Sequence, residues 1–173
     1  MKKSVLFLVV FVLFAVGIYA DDNSERGALS LSAGYTYTGN PELHGGHINL
    51  GIDFLQRDRF YLQNNFLFRA GGFSYAGVEN TVLTLSEKII FGRFEDELAI
   101  YIYIEGGAGF YTNSQNGFSS DTFVYTFGYG GGFEFGSGDF GGIYVEAGYI
   151  GQKMITDFPL SGVVVQTGWK IYF

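Results

Sequence analysis

From Ala28 to Phe173 the sequence alternates with a period of two residues, so that a large apolar side chain is followed by a small or polar one. Successive side chains of a β-strand point to opposite faces of the sheet, and this period therefore predicts strands rather than helices. Glycine-rich or polar stretches interrupt the alternation and divide it into eight segments. The clearest apolar stripe consists of Leu98, Ile100, Ile102 and Ile104. The alternation predicts an all-β chain of eight strands.

The connections between the eight segments alternate in length. Three are predicted to be tight turns, around residues 57–58, 92–93 and 136–139. Four are predicted to be longer polar or glycine-rich loops, at residues 39–46, 71–80, 111–120 and 151–160. Short turns at one end of a meander and longer loops at the other are typical of outer-membrane barrels. The order predicts an eight-stranded antiparallel up-and-down transmembrane β-barrel.

Side-chain volume indicates which face of this barrel points inward. The interior of an eight-stranded barrel is just wide enough for its own side chains. One face of the segments is crowded with Phe, Tyr, Ile and Leu, whereas the other holds many of the 27 glycines with Ser and Thr. The crowded face would overfill the lumen, and only 16% of the residues are charged, too few for the exterior of a soluble barrel. We therefore expect the apolar face to contact lipid.

Aromatic residues are predicted to form two girdles, because amphipathic rings gather at both interfaces of a membrane barrel. Those expected towards the longer loops are Tyr35, Tyr37, Phe68, Phe110, Phe123, Tyr125 and Tyr149. Those expected towards the tight turns are Phe54, Phe60, Phe91, Phe133, Phe135, Trp169 and Phe173.

The first 20 residues predict a secretory signal peptide. Two lysines precede the apolar stretch 5–14, and Ala20 provides a small residue before two aspartates. Even the longer segment 5–19 is shorter than the roughly 20 residues of a spanning helix, which argues against a retained anchor. We expect cleavage after Ala20 and a barrel domain at residues 21–173.

Charge and cysteine content exclude several classes of function. The formal charge is −7, and losing the two lysines of the signal peptide makes it −9. Nucleic acid is an unsuitable partner because phosphate binding needs a basic face. The chain contains no cysteine, which excludes a disulfide scaffold and a thiolate metal site.

The last segment, Gly168-Trp169-Lys170-Ile171-Tyr172-Phe173, combines alternating apolar residues with a terminal phenylalanine. In this and in its overall layout the chain resembles the small eight-stranded bacterial outer-membrane proteins, namely the barrel of outer-membrane protein A, outer-membrane protein X and the opacity-type proteins. The resemblance implies that Trp169, Ile171 and Phe173 form the signal read by the barrel-assembly machinery. With nothing after Phe173, we expect no peptidoglycan-binding domain of the kind that some relatives carry.

Charged residues of both signs are predicted to face the lumen. They are Asp53, Arg69, Lys88, Glu105, Glu134, Glu146 and Lys170. Because a buried charge without a partner is costly, these residues predict a network of ion pairs that fills the lumen. We expect Lys88 to lie with Asp53 at the periplasmic end. The alternative is a polar path for ions or small solutes.

Both histidines, His44 and His47, fall in the first predicted loop together with Glu42. Imidazole and carboxylate suit zinc or copper, but a fourth ligand is missing. Some small barrels modify lipid A with a histidine, yet no serine or acid is spaced to complete a triad here. We therefore expect a solvated loop, with no metal, no cofactor and no catalytic residue.

Asn64 and Glu87 interrupt the outward apolar face. If the third and fourth strands pair symmetrically about their loop, Phe66 lies opposite Leu85 and Asn64 lies directly opposite Glu87. One hypothesis is that the two polar side chains hydrogen-bond on the lipid face and mark a contact with a partner protein. The alternative is a β-bulge that turns Glu87 inward.

These expectations together favour a non-enzymatic outer-membrane surface protein. It would contribute to the envelope or contact host molecules through the loops 73–80 and 112–120, with both termini in the periplasm. Its expected partners are membrane lipid, the barrel-assembly machinery and a surface ligand. The alternatives are a narrow pore or a route for small hydrophobic compounds, and, third, a lipid A modifying enzyme.

Overall fold

A computed structural model describes residues 29–39, 42–57, 59–75, 78–95, 97–115, 118–136, 141–154 and 160–173. The predicted signal peptide and its cleavage site lie outside the described residues. No helix in the described part of the chain is long and apolar enough to cross a membrane.

Eight antiparallel strands form one closed barrel in which each strand pairs with its neighbours in sequence. They are β1 (Leu29–Gly39), β2 (Glu42–Arg57), β3 (Phe60–Tyr75), β4 (Val78–Glu95), β5 (Leu98–Gln115), β6 (Phe118–Phe135), β7 (Gly142–Met154) and β8 (Leu160–Tyr172). The barrel closes where β8 pairs with β1, and the Phe173 amide donates to the Leu29 carbonyl at 2.9 Å. The predicted all-β up-and-down barrel is confirmed.

The strands extend further than their apolar stripes. The pairing of β3 with β4 continues to Tyr75 opposite Val78, and that of β5 with β6 continues to Gln115 opposite Phe118. Three of the predicted long loops, at 39–46, 71–80 and 111–120, are therefore mostly strand, and the predicted turn at 92–93 lies inside β4. The prediction was wrong because polar residues mark the end of the apolar belt, whereas backbone pairing continues beyond it.

A β-bulge interrupts β2 near its C-terminal end, at the end of the barrel where β1 begins and β8 ends. Asp53 pairs with Gln63 and Leu55 pairs with Leu62, which leaves residue 54 as the extra residue. A bulge shifts the alternation of the strand that carries it. The outward positions after it are therefore Leu55 and Arg57, so the outward residues of β2 change from even numbers before the bulge to odd numbers after it. The side chain of Phe54 lies outside what the structure describes.

The large apolar side chains cover the exterior of the barrel. Ile102 is 65% exposed and Leu85 is 62% exposed, whereas Ser32 on the opposite face is 3% exposed. Glycines make room inside for larger neighbours. A Cβ at Gly132 would lie 2.8 Å from Glu146 Cγ and 3.0 Å from Tyr101 Cζ. The large apolar side chains therefore lie outside and the lumen is densely filled, as the side-chain volumes predict.

Candidate functional site

The lumen contains three buried ion pairs at successive levels. The highest joins β3 to β5, where Arg69 donates from Nη1 and Nη2 to the two carboxylate oxygens of Glu105, each at 3.0 Å. Both side chains are buried, at 4% and 1% exposure. Two parallel bonds between planar groups are the strongest form of this contact.

The second ion pair crosses the barrel from β4 to β7. Lys88 Nζ donates to Glu146 Oε2 at 2.6 Å and to Gln166 Oε1 at 3.3 Å. The Tyr101 hydroxyl donates to the other oxygen of Glu146 at 3.0 Å, and Lys88 Nζ lies 4.4 Å from the centroid of the Tyr103 ring. Lys88 and four other side chains, from β5, β7 and β8, therefore form one buried cluster.

The third ion pair lies towards the end of the barrel where β1 begins and β8 ends, and it connects β8 to β6. Lys170 Nζ donates to Glu134 Oε2 at 3.4 Å and to Gln63 Oε1 at 2.9 Å. The Tyr172 hydroxyl contacts both oxygens of Glu134 at 2.8 Å. Gln63 in turn donates to Asp53, which links this cluster to β2.

All seven charged residues predicted for the lumen are buried there, and six of them form the three pairs. Lys88 lies higher than expected, because it is opposite Glu105 in the β4–β5 register. The sequence reasoning did not include Gln63 and Gln166, although both occupy inward positions in the alternation. Their role as bridges depends on contacts across the barrel, which no local pattern contains.

Apolar side chains close the lumen above and within the charged levels. One cluster, which we call the outer cluster, lies towards the end where β3 joins β4 and consists of Leu43, Phe73, Val82 and Val124, with Tyr111 packed against it. A second cluster lies towards the opposite end and consists of Tyr61, Ile90, Ala99, Tyr101 and Tyr103, with Phe94 packed against it. The sequence analysis did not predict the outer cluster, because its residues fall in segments that were interpreted as loops or as the polar face.

The two histidines lie in strand β2 and not in a flexible loop, so the expectation of a solvated loop was wrong. His47 points inward, where its Nδ1 lies 2.7 Å from Thr36 Oγ1 and its Nε2 contacts the Tyr144 hydroxyl. His44 points outward, hydrogen-bonds to Tyr35 and packs against the Tyr37 ring. Side chains three positions apart in a strand face opposite sides. The two imidazoles therefore cannot share a metal ion, and the described residues contain no group of three potential ligands.

Asn64 and Glu87 hydrogen-bond on the outer face, but in a different register from the expected one. Phe66 lies opposite Glu87, and Asn64 lies opposite Ile89. Asn64 Nδ2 reaches Glu87 Oε1 diagonally at 2.8 Å. The pairing of β4 is continuous through Glu87 on both sides, so no bulge turns this residue inward. Asn64 is 3% exposed and its Oδ1 has no partner among the described residues.

Comparison with solved structures identifies the architecture. Neisserial surface protein A (NspA) matches with a TM-score of 0.61 at 11% identity, over 84% of this chain and 96% of that chain. Ail, the attachment invasion locus protein of Yersinia pestis, matches with 0.52 at 17% identity, over 84% and 99%. The chain has the fold of the small eight-stranded outer-membrane barrels. The outer membrane enzyme PagL also matches, with 0.51 at 17% identity over 83% and 99%. No protein-family model and no curated protein matches the sequence.

The residues predicted as an assembly signal lie at the closing seam of this barrel. Trp169, Ile171 and Phe173 all point outward, with 49%, 38% and 68% exposure. Trp169 and Ile171 lie opposite Ala33 and Leu31 of β1. Their alternation thus presents one apolar stripe on the outside of the strand that closes the barrel.

We expect the combined change Asn64→Val and Glu87→Leu to raise the free energy of unfolding of the isolated barrel by about 1 kcal/mol, because it removes a polar pair from the apolar exterior. Glu87→Leu alone should leave the free energy of unfolding nearly unchanged. The gain from removing the carboxyl group is offset by the cost of leaving the buried Asn64 amide unpaired. Urea titration of the barrel in lipid vesicles, followed by fluorescence of the single tryptophan, measures both. A loss of more than about 2 kcal/mol in the double variant would contradict this account.

Proposed function

We propose that this protein is an integral outer-membrane surface protein without enzymatic activity, whose barrel is a sealed support for its outer hairpins. The observation that carries the proposal is the lumen filled by three buried ion pairs and two apolar clusters. It acts through what it presents outside the membrane, as part of the envelope or as a contact for a surface ligand.

The exterior supports residence in a bilayer. A transmembrane β-strand needs about 9–11 residues, and all eight strands are long enough. On β4 the outward apolar run extends from Leu83 to Phe91 and is interrupted by Glu87, with Thr81 above the run and Arg93 below it. The aromatic pair Phe60 and Phe91 stacks at the lower boundary, with Arg93 over the Phe60 ring. Rings and guanidinium groups at this level suit the interface between hydrocarbon and headgroups.

The filled lumen argues against the alternative of a narrow pore. Ions would have to separate Lys88 from Glu146 and Arg69 from Glu105, and each separation leaves a buried charge without its partner. The outer apolar cluster around Phe73 and Val82 then presents a second barrier that carries no charge. A solute that crosses therefore has to displace two kinds of obstacle in series.

The outer hairpins β3–β4 and β5–β6 are the parts that would meet a partner. Their strands of 16 to 18 residues are longer than a bilayer requires, so their paired ends project beyond the belt. Thr112 Oγ1 donates to Asp121 at 2.8 Å, and Tyr111 donates to Asn80, which ties neighbouring strands together. The projecting surface is thus a rigid extension of the sheet.

The charge of these hairpins indicates which partners they suit. Ail binds the heparin analogue sucrose octasulfate in a crystal structure. The outer ends of this chain carry Glu42, Glu79 and Asp121 at outward positions, and acidic groups repel a sulfated ligand. A protein or cationic partner suits this surface better.

The outward His44 is the feature that would favour an enzyme, as in PagL, but its surroundings do not support one. In a hydrolytic triad a carboxylate accepts a hydrogen bond from imidazole Nδ1. Here the Nδ1 of His44 is paired with the Tyr35 hydroxyl instead. The Tyr37 ring packs against the same imidazole, which makes His44 part of an aromatic cluster at the outer interface.

Delivery to the outer membrane completes the proposal. Residues 1–20 serve as a cleaved signal peptide, and the outward stripe of Trp169, Ile171 and Phe173 is read by the barrel-assembly machinery. The exposed position of all three side chains on β8 supports the second point.

We expect an epitope inserted at residues 116–117, between β5 and β6, to be labelled by antibody on intact cells. The matched control carries the same epitope at residues 96–97, between β4 and β5, and is labelled only after permeabilisation. Vesicles that contain the purified protein should swell in arabinose no faster than empty vesicles, because the lumen is closed. Labelling of the 96–97 insertion on intact cells would contradict the proposed orientation, and rapid swelling would favour the pore.

A further inference from the structure

The polar pair of Asn64 and Glu87 lies in the middle of the apolar belt. On β4 the outward positions above Glu87 are Leu83 and Leu85, and those below it are Ile89 and Phe91. Two apolar residues therefore separate the carboxyl group from each interface. Acyl chains at this depth offer no hydrogen-bond donor or acceptor. A lipid tail therefore cannot pair with the carboxyl group, whereas a second protein surface with a polar atom at the same depth can do so.

Asn64 satisfies only part of Glu87. Its amide donates to Oε1 at 2.8 Å, and among the described residues Oε2 has no hydrogen-bond partner. The half-buried Glu87 side chain remains accessible from outside, whereas Asn64 is buried beneath it. Asn64 therefore orients the carboxyl group and leaves one of its oxygens without a hydrogen bond from the described residues.

The surface on the two sides of β4 has opposite relief. On the β3 side, the residues opposite Glu87 and Leu85 are Phe66 and Phe68. On the β5 side, the residues opposite the same two positions are Gly106 and Ala108. A Cβ placed on Gly106 would meet no atom within 4 Å, so this position is open. Bulky rings thus line one side of β4 and a shallow hollow lines the other.

We propose that this face, defined by Phe66, Phe68, Glu87, Gly106 and Ala108, is the interface of a symmetric dimer with a second copy of this chain. A two-fold axis along the membrane normal brings the β3 side of one copy against the β5 side of the other. The rings of each copy then meet the hollow of its partner. The raised side of this face therefore fits the hollow side of the same face on the second copy, and a two-fold interface requires this kind of self-complementarity.

The same symmetry explains the carboxyl group at mid-depth. Two copies inserted in the same orientation place their Glu87 side chains at equal depth and next to the axis. Carboxyl groups that face each other across the axis hydrogen-bond to each other, so that each copy supplies the polar partner that acyl chains cannot offer. Any other partner would need a polar group of its own at that depth. The proposal rests on the membrane residence proposed above.

Cysteine cross-linking in membranes tests the dimer, because the chain has no cysteine of its own. We expect Leu85→Cys, next to Glu87, to cross-link to a species of twice the monomer mass when a short bis-maleimide is added. The matched control is Val165→Cys on β8, across the closed barrel from β4, which should cross-link at least five-fold less. Equal yields for the two variants, or a Leu85→Cys adduct with a protein of another mass, would overturn the proposal.

Two further changes in the Leu85→Cys background identify the contacts. Glu87→Leu should lower the cross-linking yield about five-fold, whereas Glu87→Gln should retain most of it, because paired carboxamides also donate and accept. Gly106→Leu should abolish the cross-link by filling the hollow, although the position is open within one barrel. An unchanged yield in either leucine variant would overturn the proposed interface. Heat-modifiable migration of every variant in the membrane fraction tests folding and membrane residence separately.

Discussion

Replacing Arg69 by methionine is expected to lower the free energy of unfolding by about 3–5 kcal/mol, because the change leaves the Glu105 carboxylate buried without its partner. The pair is enclosed on both sides, with 4% and 1% exposure, and the two bonds of 3.0 Å cannot be replaced by bulk water. Urea titration in lipid vesicles with tryptophan fluorescence measures the change. Unlike the hydrogen bond between Asn64 and Glu87 on the outer face, this ion pair lies inside the lumen, in the path that a solute would take.

Two controls separate the buried pair from charge removal in general. Arg69→Met combined with Glu105→Gln removes both charges and should recover most of the loss. Arg93→Met breaks the ion pair between Arg93 and Glu95, whose two side chains are 49% and 54% exposed, respectively. It should change the free energy of unfolding by less than about 1 kcal/mol. A loss below about 1 kcal/mol for Arg69→Met alone would mean that water enters the lumen, which would revive the pore alternative.

Gly141→Ala is expected to lower the free energy of unfolding by at least about 2 kcal/mol and to reduce the yield of folded barrel. Gly141 has a φ of 80°, a region that L-residues avoid at a cost of about 1–2 kcal/mol. In addition, a Cβ at this position would overlap the Lys170 carbonyl oxygen and lie 2.9 Å from Ile171 Cα. Backbone on the closing strand would therefore have to move. Urea titration and heat-modifiable electrophoresis report the two effects.

Gly46→Ala is the matched control for Gly141→Ala. It adds the same methyl group to an exposed glycine of β2, at which the nearest atom to a Cβ would be the Gly34 carbonyl oxygen at 3.5 Å, an ordinary van der Waals contact. A substitution of this kind in a strand should change stability by less than about 0.5 kcal/mol. If both alanine variants unfold at the same urea concentration as the unsubstituted barrel, the close approach at Gly141 is not a constraint on the fold.

The fold could be predicted from the sequence because two independent arguments agree. The period of two residues predicts strands, and the volume of the apolar faces predicts that these faces point outward. Both depend on local composition, which the sequence contains in full. Strand ends could not be predicted in the same way, since segments such as 71–80 are polar and still paired. Polarity there reflects the surrounding water and not the backbone conformation.

The contacts of the lumen could be predicted only as a set of residues. Each charged member follows from the alternation, but its partner depends on how the strands are staggered around the barrel. The pairing of β3 with β4 shows that a small error changes the partners. The centre of this hairpin lies one residue later in the chain than the symmetric pairing predicted. Asn64 consequently lies opposite Ile89 and reaches Glu87 along the diagonal. The bulge at residue 54 adds a further shift in β2 that the sequence does not signal.

The seam between β1 and β8 has a consequence for the kinetics of this barrel. It joins Leu29 to Phe173, so the last pairing to form spans nearly the whole described chain. Until that pairing exists, both flanking strands are edges with unsatisfied amides, which hydrocarbon does not tolerate. Partly closed intermediates in the bilayer are therefore high in energy, and opening the seam carries the same penalty in reverse. We expect slow, all-or-none unfolding, so that the lifetime of the folded barrel is set by a barrier more than by an equilibrium.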